Sequence, residues 1–482
     1  MAKYRSLVAQ RGFSRRRFVG AGAKAGVGMA GLPLLERPAS ASGTTGLRGF
    51  GAARGYAQAA ATITMMGWGS PLEKANVDKG LQIFESDHPD IDVEWVHVPD
   101  DYSTKLTTTL AGGTPPDVFW QTQPRDYIAR DVVMDITSYL EADPVLSQPD
   151  YFIQPQERNR STVDGRWYGI GSCWVLPHLY YNTSLLEEAG VEPPSSDPAE
   201  AWTWDEFLEV ARRLTVDGSG KHPDQAGFNP DDIQQWGVFW PTDYIQRDAL
   251  VYSNGGVPYT EDHRCHYGEP EAVEAIQAVA DLTLEHHVAP QAATATQLGM
   301  SAWQMLASGK VAILADGSWA LQDISQMGFA FGCGVLPKLK EPATTALAHL
   351  HVIHKDTEYP EASWELLAYL SSDDYQRGLL QVGLWLPSHT TLLTEEGLAS
   401  WITPGVHPEG YEQIATEYLL NHAEAYYYPA GFEEANRIIT AALDPVWIGD
   451  MAVEEALETS AAIAEVNAVL EENLERLEAN TP

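Results

Sequence analysis

From residue 62 onward, apolar and polar positions switch between two periods. Thr62–Trp68 reads as a strand, and Leu72–Ser86 sets Val77, Leu81 and Phe84 on one helical face. His88-Pro89-Asp90 breaks that helix, and Ile91, Val93 and Trp95 then share one side of a strand over 91–98. A second helix covers Tyr102–Ala111 and stops at Gly112-Gly113, before the short apolar strand Asp117–Trp120. This β–α–β–α–β order predicts a mostly parallel sheet with helices on its faces. Ligands of such sheets bind beyond the carboxyl ends of strands, which is where Trp68 and Trp120 fall.

The alternation continues downstream. Helices are expected over Trp204–Leu214 behind a Thr203 cap, Glu269–Glu285, Gln297–Ala307 and Pro360–Leu370, with a strand at Val311–Leu314. Met451–Leu477 reads as one long C-terminal helix. A chain of 482 residues is too long for one ordinary core and calls for two globular domains. Nothing repeats at a solenoid period.

Charge changes the picture at the N-terminus. Ser14-Arg15-Arg16-Arg17-Phe18-Val19, followed by a Gly/Ala-rich stretch to Leu35, resembles a twin-arginine export signal. Of the candidate cleavage sites, Ala39-Ser40-Ala41 and Ala57-Gln58-Ala59, the second directly precedes the first strand. With no cysteine nearby, no lipid anchor is expected. The mature protein would be periplasmic or secreted. Residues 1–59 hold ten of the 30 basic residues and one of the 67 acids, which leaves 20 basic against 66 acidic residues and a net of −46. Such a surface repels nucleic acid and anionic membranes. Three cysteines, Cys173, Cys265 and Cys333, exclude a disulfide scaffold.

A set of short motifs occurs in order along the chain. They are Gly67-Trp68-Gly69-Ser70, Ala111-Gly112-Gly113-Thr114-Pro115-Pro116-Asp117-Val118, Asp164-Gly165-Arg166-Trp167-Tyr168-Gly169 and Tyr180-Tyr181-Asn182. Trp202-Thr203-Trp204-Asp205-Glu206-Phe207, Asn254-Gly255-Gly256, Gly309-Lys310-Val311-Ala312 with Gly317-Ser318-Trp319, and Gly383-Leu384-Trp385-Leu386-Pro387 follow. Together they resemble the extracellular solute-binding proteins of the maltose-binding type. The resemblance implies an α/β, two-lobed periplasmic-binding-protein fold of type II, with discontinuous lobes joined by hinge strands. The lobes would be 60–174 plus 347–378 and 175–346 plus 379–482, after a leader over 1–59. It further implies a monomer that carries a carbohydrate to the membrane permease subunits of an ABC importer, with no cofactor.

A sugar offers apolar C–H faces and a rim of hydroxyls, so its site needs flat rings and hydrogen-bonding side chains. The resemblance puts Trp68, Trp120, Trp174, Trp240, Trp319, Trp385 and Tyr428 on ligand-facing loops, with core packing as the alternative for each. The polar candidates are Ser70, Glu73, Gln121, Gln123, Arg125, Asp243 and Asp316. Asp117 can instead cap a turn. The family's maltose binder is charged just after the third strand, whereas Gln121 to Gln123 are neutral here, which argues against maltose itself. His349-x-His351-x-x-His354 is the one metal-like spacing, and strand histidines are its simpler reading. Catalytic signatures such as G-x-S-x-G, HExxH and a phosphate loop are missing, so no enzyme is expected. Alternatives are a binder of polyamine, peptide or glycerol phosphate, a receptor for a membrane sensor, or a secreted glycosidase.

Overall fold

The computed structural model describes residues 61–122, 124–154 and 156–481. The leader, with every expectation about export, and Gln123 lie outside the described residues. Ten strands build two five-stranded sheets. In chain order they are β1 (Ala61–Gly67), β2 (Ile91–His97), β3 (Val118–Gln121), β4 (Ile170–Gly171) and β5 (Pro177–Asn182). β6 (Val216–Asp217), β7 (Ile233–Phe239), β8 (Val311–Gly317), β9 (Phe331–Gly334) and β10 (Leu350–Ile353) follow.

The first sheet runs β2-β1-β3-β10-β4. Its opening strands are parallel, in the register Met65↔Trp95 and Met65↔Val118. The chain returns through the helices Pro71–Asp87 and Tyr102–Ala111. Val77, Leu81 and Phe84 pack on Ile63 and Met65 beneath the first helix; burying each such side chain is worth about 1.5–3 kcal/mol. β10 and β4 close the sheet antiparallel, with His351 opposite both Trp120 and Ile170. Asp117, just before β3, acts as the turn-holder the sequence allowed. Its carboxylate accepts from Thr64 N (2.9 Å) and from Thr357 Oγ1 (2.6 Å).

The second sheet runs β9-β5-β8-β7-β6, and only β7 and β8 are parallel. Its helix Trp204–Leu214 starts where the sequence predicts, with a complete Thr203/Glu206 capping box. Two other expectations fail at single residues. The helix expected over 297–307 is two helices, Ala292–Leu298 and Ala302–Ala307, because Gly299 turns left-handed (φ +63°) and Ser301 caps a new start. The long C-terminal helix is likewise broken into Val453–Ser460 and Ala462–Asn480 at Ala461 (φ +55°). Thr459 and Ser460 are weak helix formers there, and Ser460 Oγ bonds back to Ala456 O (2.7 Å).

The chain passes between the sheets in three places that are tied to one another. Trp174 and Leu386 exchange two backbone hydrogen bonds of 2.9 Å, and Val175 and Leu347 exchange two more of 2.8 and 3.0 Å. The short strands Thr344–Ala346 and Ala423–Ala425 pair beside them. The helix Ala462–Asn480 reaches both sides. Cys265 N donates to Asn467 near its start, while Asn480 donates to Ala129 O and Leu477 packs with Met66 and Phe119 at its end. Among the described residues, no helix is long and apolar enough to cross a membrane.

Candidate functional site

A cavity of about 450 Å³ sits where the strand ends of the two sheets face each other. Trp68, Gly69, Ser70 and Glu73 enter it from the end of β1, and Thr122 from the end of β3. Tyr244 and Ile245 follow β7; Trp319, Gln322 and Asp323 follow β8. Trp303 adds a further ring, and Val175, Leu347, Ala348, His349 and Trp385 form the floor at the crossings. Both contributing sheets thus use the carboxyl ends of parallel strands, the position where open α/β sheets bind ligands.

Local backbone chemistry explains how the rings get there. A Cβ on Gly67 would stand 2.5 Å from the Trp120 ring, so only glycine lets β1 end against it. Gly69 (φ +127°) then carries the loop across the Glu73 carboxyl. Ser70 caps the first helix through its Oγ, which accepts from Glu73 N at 3.2 Å. Past β8, a Cβ on Gly317 would overlap the Trp319 ring at 2.1 Å; its absence lets the indole fold back over the strand end. Asp316 takes a hydrogen bond from Trp319, and the Gln246 amide beside it donates to Asp243 at 2.8 Å.

Behind the lining stands an aromatic stack. Trp68 meets Tyr102, Trp120 and His349 edge-on at 4.9–5.7 Å, and Trp120 stacks flat on His349 at 3.9 Å. Each such pair adds about 0.5–1.5 kcal/mol beyond burial and fixes the orientation of Trp68. Trp385 packs on His349 at 4.7 Å while holding φ +71°. A left-handed tryptophan costs of order 1–3 kcal/mol, and this strain sits inside the cavity wall.

The electrostatics are acidic but muted. Burial raises the Glu73 carboxyl to about 8, the backbone hydrogen bond from Ser70 opposes this, and nearby Asp323 reinforces it. Burial likewise raises Asp316 to about 7; the Gly317 N–H pulls the other way and Asp243 adds to the rise. His349 is held well below the ordinary histidine value by burial, then by His351 and Arg160. Burial raises Asp323 as well, Glu73 keeps its proton at pH 7, and none of the lining residues is Lys or Arg.

Of the residues singled out from sequence, Trp68, Ser70, Glu73, Trp319 and Trp385 line this cavity together. Trp120 does not reach it: it is fully buried one layer behind, under Trp68 and His349. Trp174 is spent on the crossing, with the Arg160 guanidinium 3.8 Å above its ring. Gln121 is buried in β3, where it hydrogen-bonds Tyr127. Trp240 packs edge-on against Trp204 and Phe207 and borders a different cavity. Asp243 caps the helix Tyr244–Ser253, accepting from Ile245 N at 3.0 Å. Tyr428 lies one layer back, its hydroxyl 3.3 Å from that of Tyr244. Arg125 stacks over Tyr427 at 4.7 Å and lines a larger polar cavity of about 660 Å³ elsewhere, which none of the candidate aromatics enters.

The sequence does not single out Tyr244, Trp303, Gln322 or Asp323, and it offers His349 as a hinge or strand histidine or, with His351 and His354, as a metal ligand. Tyr244 directly follows the Asp243 cap after a strand, and Gln322 and Asp323 stand one turn beyond Trp319, so loop position was the available signal. His349 is instead a ring in the stack, and His351 Nε2 pairs with Ser172 Oγ at 3.0 Å. No cluster of three or more His, Cys, Asp or Glu able to hold a metal occurs among the described residues.

Two sheets that turn their strand ends onto one ring-lined cavity define a receptor for a small solute. The chain belongs to the bacterial extracellular solute-binding protein family, which residues 65–377 match. A binding protein of Brucella abortus is 20% identical over 79% of this chain and 87% of its own. The sn-glycerol-3-phosphate-binding periplasmic protein of Rhizobium meliloti is 28% identical over 47% of this chain and 50% of its own. Among solved structures, the ABC substrate-binding protein of Listeria monocytogenes in complex with cycloalternan superposes with a TM-score of 0.72 at 24% identity, covering 85% of this chain and 99% of that one. The fold is accordingly the two-lobed α/β architecture of these receptors.

Proposed function

We propose that this protein captures an oligosaccharide outside the cytoplasm and hands it to the permease subunits of an ABC importer. The observation that carries the reading is the cavity wall. Trp68, Trp303, Trp319, Trp385 and Tyr244 supply flat apolar faces, while Glu73, Thr122, Gln322 and Asp323 supply hydrogen-bonding edges, all without a cation. A phosphate-bearing ligand, as bound by the Rhizobium relative, would need Arg or Lys where this wall has carboxyls. Binding rather than catalysis is the role assigned, with Trp68, Ser70, Glu73, Trp319 and Trp385 as direct contacts. Trp120, Asp316 and Tyr428 support them from behind. The lobes would be 60–174 plus 347–378 and 175–346 plus 379–482, closing on ligand as a monomer after twin-arginine export without a lipid anchor.

Isothermal titration with maltotriose, cycloalternan and sn-glycerol 3-phosphate tests the reading, followed by chromatography of the recovered ligand. Saturable binding of a saccharide returned intact is expected. Binding of glycerol phosphate alone would replace the ligand class, and cleaved saccharide would replace the role.

A further inference from the structure

The wall of the ring-lined cavity holds two carboxyls and no cation. Glu73 reaches it from the helix Pro71–Asp87 after β1, and Asp323 from the short helix Leu321–Ile324 after β8, so each sheet supplies one. The two helices meet there: Asn76, one turn beyond Glu73, donates through Nδ2 to Oε1 of Gln322, the neighbour of Asp323, in a buried hydrogen bond of 3.3 Å.

Neither carboxyl has a countercharge. Among the described residues, no ion pair reaches Glu73 or Asp323. Glu73 is 7% exposed, and its carboxyl takes the Ser70 backbone N–H. The titratable groups that feel its charge are Asp323 across the cavity, Cys173 beside Trp174, and Tyr375 of the helix Asp373–Leu380. None of these supplies positive charge, and burial keeps His349 neutral. Ionising a buried carboxyl without a partner is costly. That cost is why Glu73 keeps its proton up to about pH 8 and why Asp323 is raised with it.

The rings point to the same missing charge. Trp68, Trp303, Trp319, Trp385 and Tyr244 line the space that the carboxyls enter. Aromatic faces, indole above all, attract a cationic nitrogen, and a carboxylate beside them strengthens the hold. The whole chain, with 67 acidic against 30 basic residues, draws cations and repels anions.

We propose that this site selects a saccharide carrying a protonated amine, with the ammonium seated between Glu73 and Asp323 and against the indole rings. The proposal rests on the saccharide reading of this cavity and names the kind of sugar. On binding, the amine keeps its proton while Glu73 releases its own to solvent, which leaves an ammonium facing carboxylates.

Sugars matched except for the amine test it: glucosamine against glucose, galactosamine against galactose, and the diamine chitobiose against cellobiose. Each is titrated calorimetrically into the full protein at pH 6.5, beside maltotriose and spermidine. At least one amine should bind about tenfold or more tightly than its neutral partner. Glu73→Gln and Asp323→Asn, both nearly isosteric, should each bring that ratio down toward one. Wild-type titrations in phosphate and in Tris, which differ in ionisation heat, should show about one proton released per amine bound. Neutral sugars, maltotriose included, that bind at least as tightly as every amine overturn the proposal and leave the saccharide reading standing. So does an amine preference that survives both substitutions, because the charge is then read elsewhere. Binding by no sugar, whether or not spermidine binds, overturns the saccharide reading and the proposal with it.

Discussion

Replacing Glu73 by Gln should stabilise the protein by an amount that depends steeply on pH. Glu73 is 7% exposed, and burial raises its carboxyl from 4.5 to about 8. The folded state therefore holds a proton that the unfolded chain releases near pH 4.5. Between those values the native protein binds more protons than the unfolded one, so this group's contribution to stability falls as pH rises. The loss accrues at about 1.4 kcal/mol per pH unit and approaches roughly 5 kcal/mol above pH 8. Gln is nearly isosteric and cannot ionise, so it escapes the loss. Denaturant unfolding of wild type and Glu73→Gln at pH 4.5, 6.5 and 9 should show a stability gap near zero, then about 3, then about 5 kcal/mol. A gap that stays constant across that range would refute the reasoning, because it would reflect packing or hydrogen bonding rather than a buried ionisation.

Trp319→Ala should weaken saccharide binding by about 5- to 150-fold, read by calorimetry, as for other aromatic anchors. Unchanged affinity with a stability loss of about 3–5 kcal/mol would make Trp319 a core residue instead. Asp248 is fully buried and bonds Arg247 Nε (2.9 Å), Tyr267 OH (2.5 Å) and Tyr426 OH (2.8 Å). Asp248→Ala strands a buried guanidinium and should cost about 3–5 kcal/mol in thermal unfolding, with ligand affinity little altered. Small-angle scattering should give a smaller radius of gyration with bound ligand than without, and equal radii would indicate a rigid cleft. Changing Arg15, Arg16 and Arg17 to Lys should leave precursor in the cytoplasm on fractionation.

The elements set by strong local periodicity were legible in the sequence. Tyr102–Ala111, Trp204–Leu214 and Pro360–Leu370 have the predicted ends, because Gly, Thr and Pro punctuate them. Gly299 and Ala461 were not seen as breaks, since an apolar face continues across both and only the backbone changes hand. At the site, loop position found Trp68 and Trp319. It could not separate a ring that reaches the cavity from one lying a layer behind. Trp68 and Trp120 both end parallel strands, and only packing depth puts one in front of the other. Composition could not reveal His349 as a stacking partner, because its flat contact with Trp120 joins residues 120 and 349, a pairing that exists only in three dimensions.

The helix Ala462–Asn480 is bonded to Cys265 on the second-sheet side and to Ala129 beyond β3 on the first. Nineteen residues at about 1.5 Å each make a rod of roughly 28 Å. A rod fastened at both ends cannot shorten when the bodies it joins turn toward each other. It must swivel, and the left-handed Ala461 immediately before it is already bent like a joint. The cavity and this far helix would then be two ends of one linkage, so stiffness introduced at Ala461 would be felt as resistance at the tryptophans.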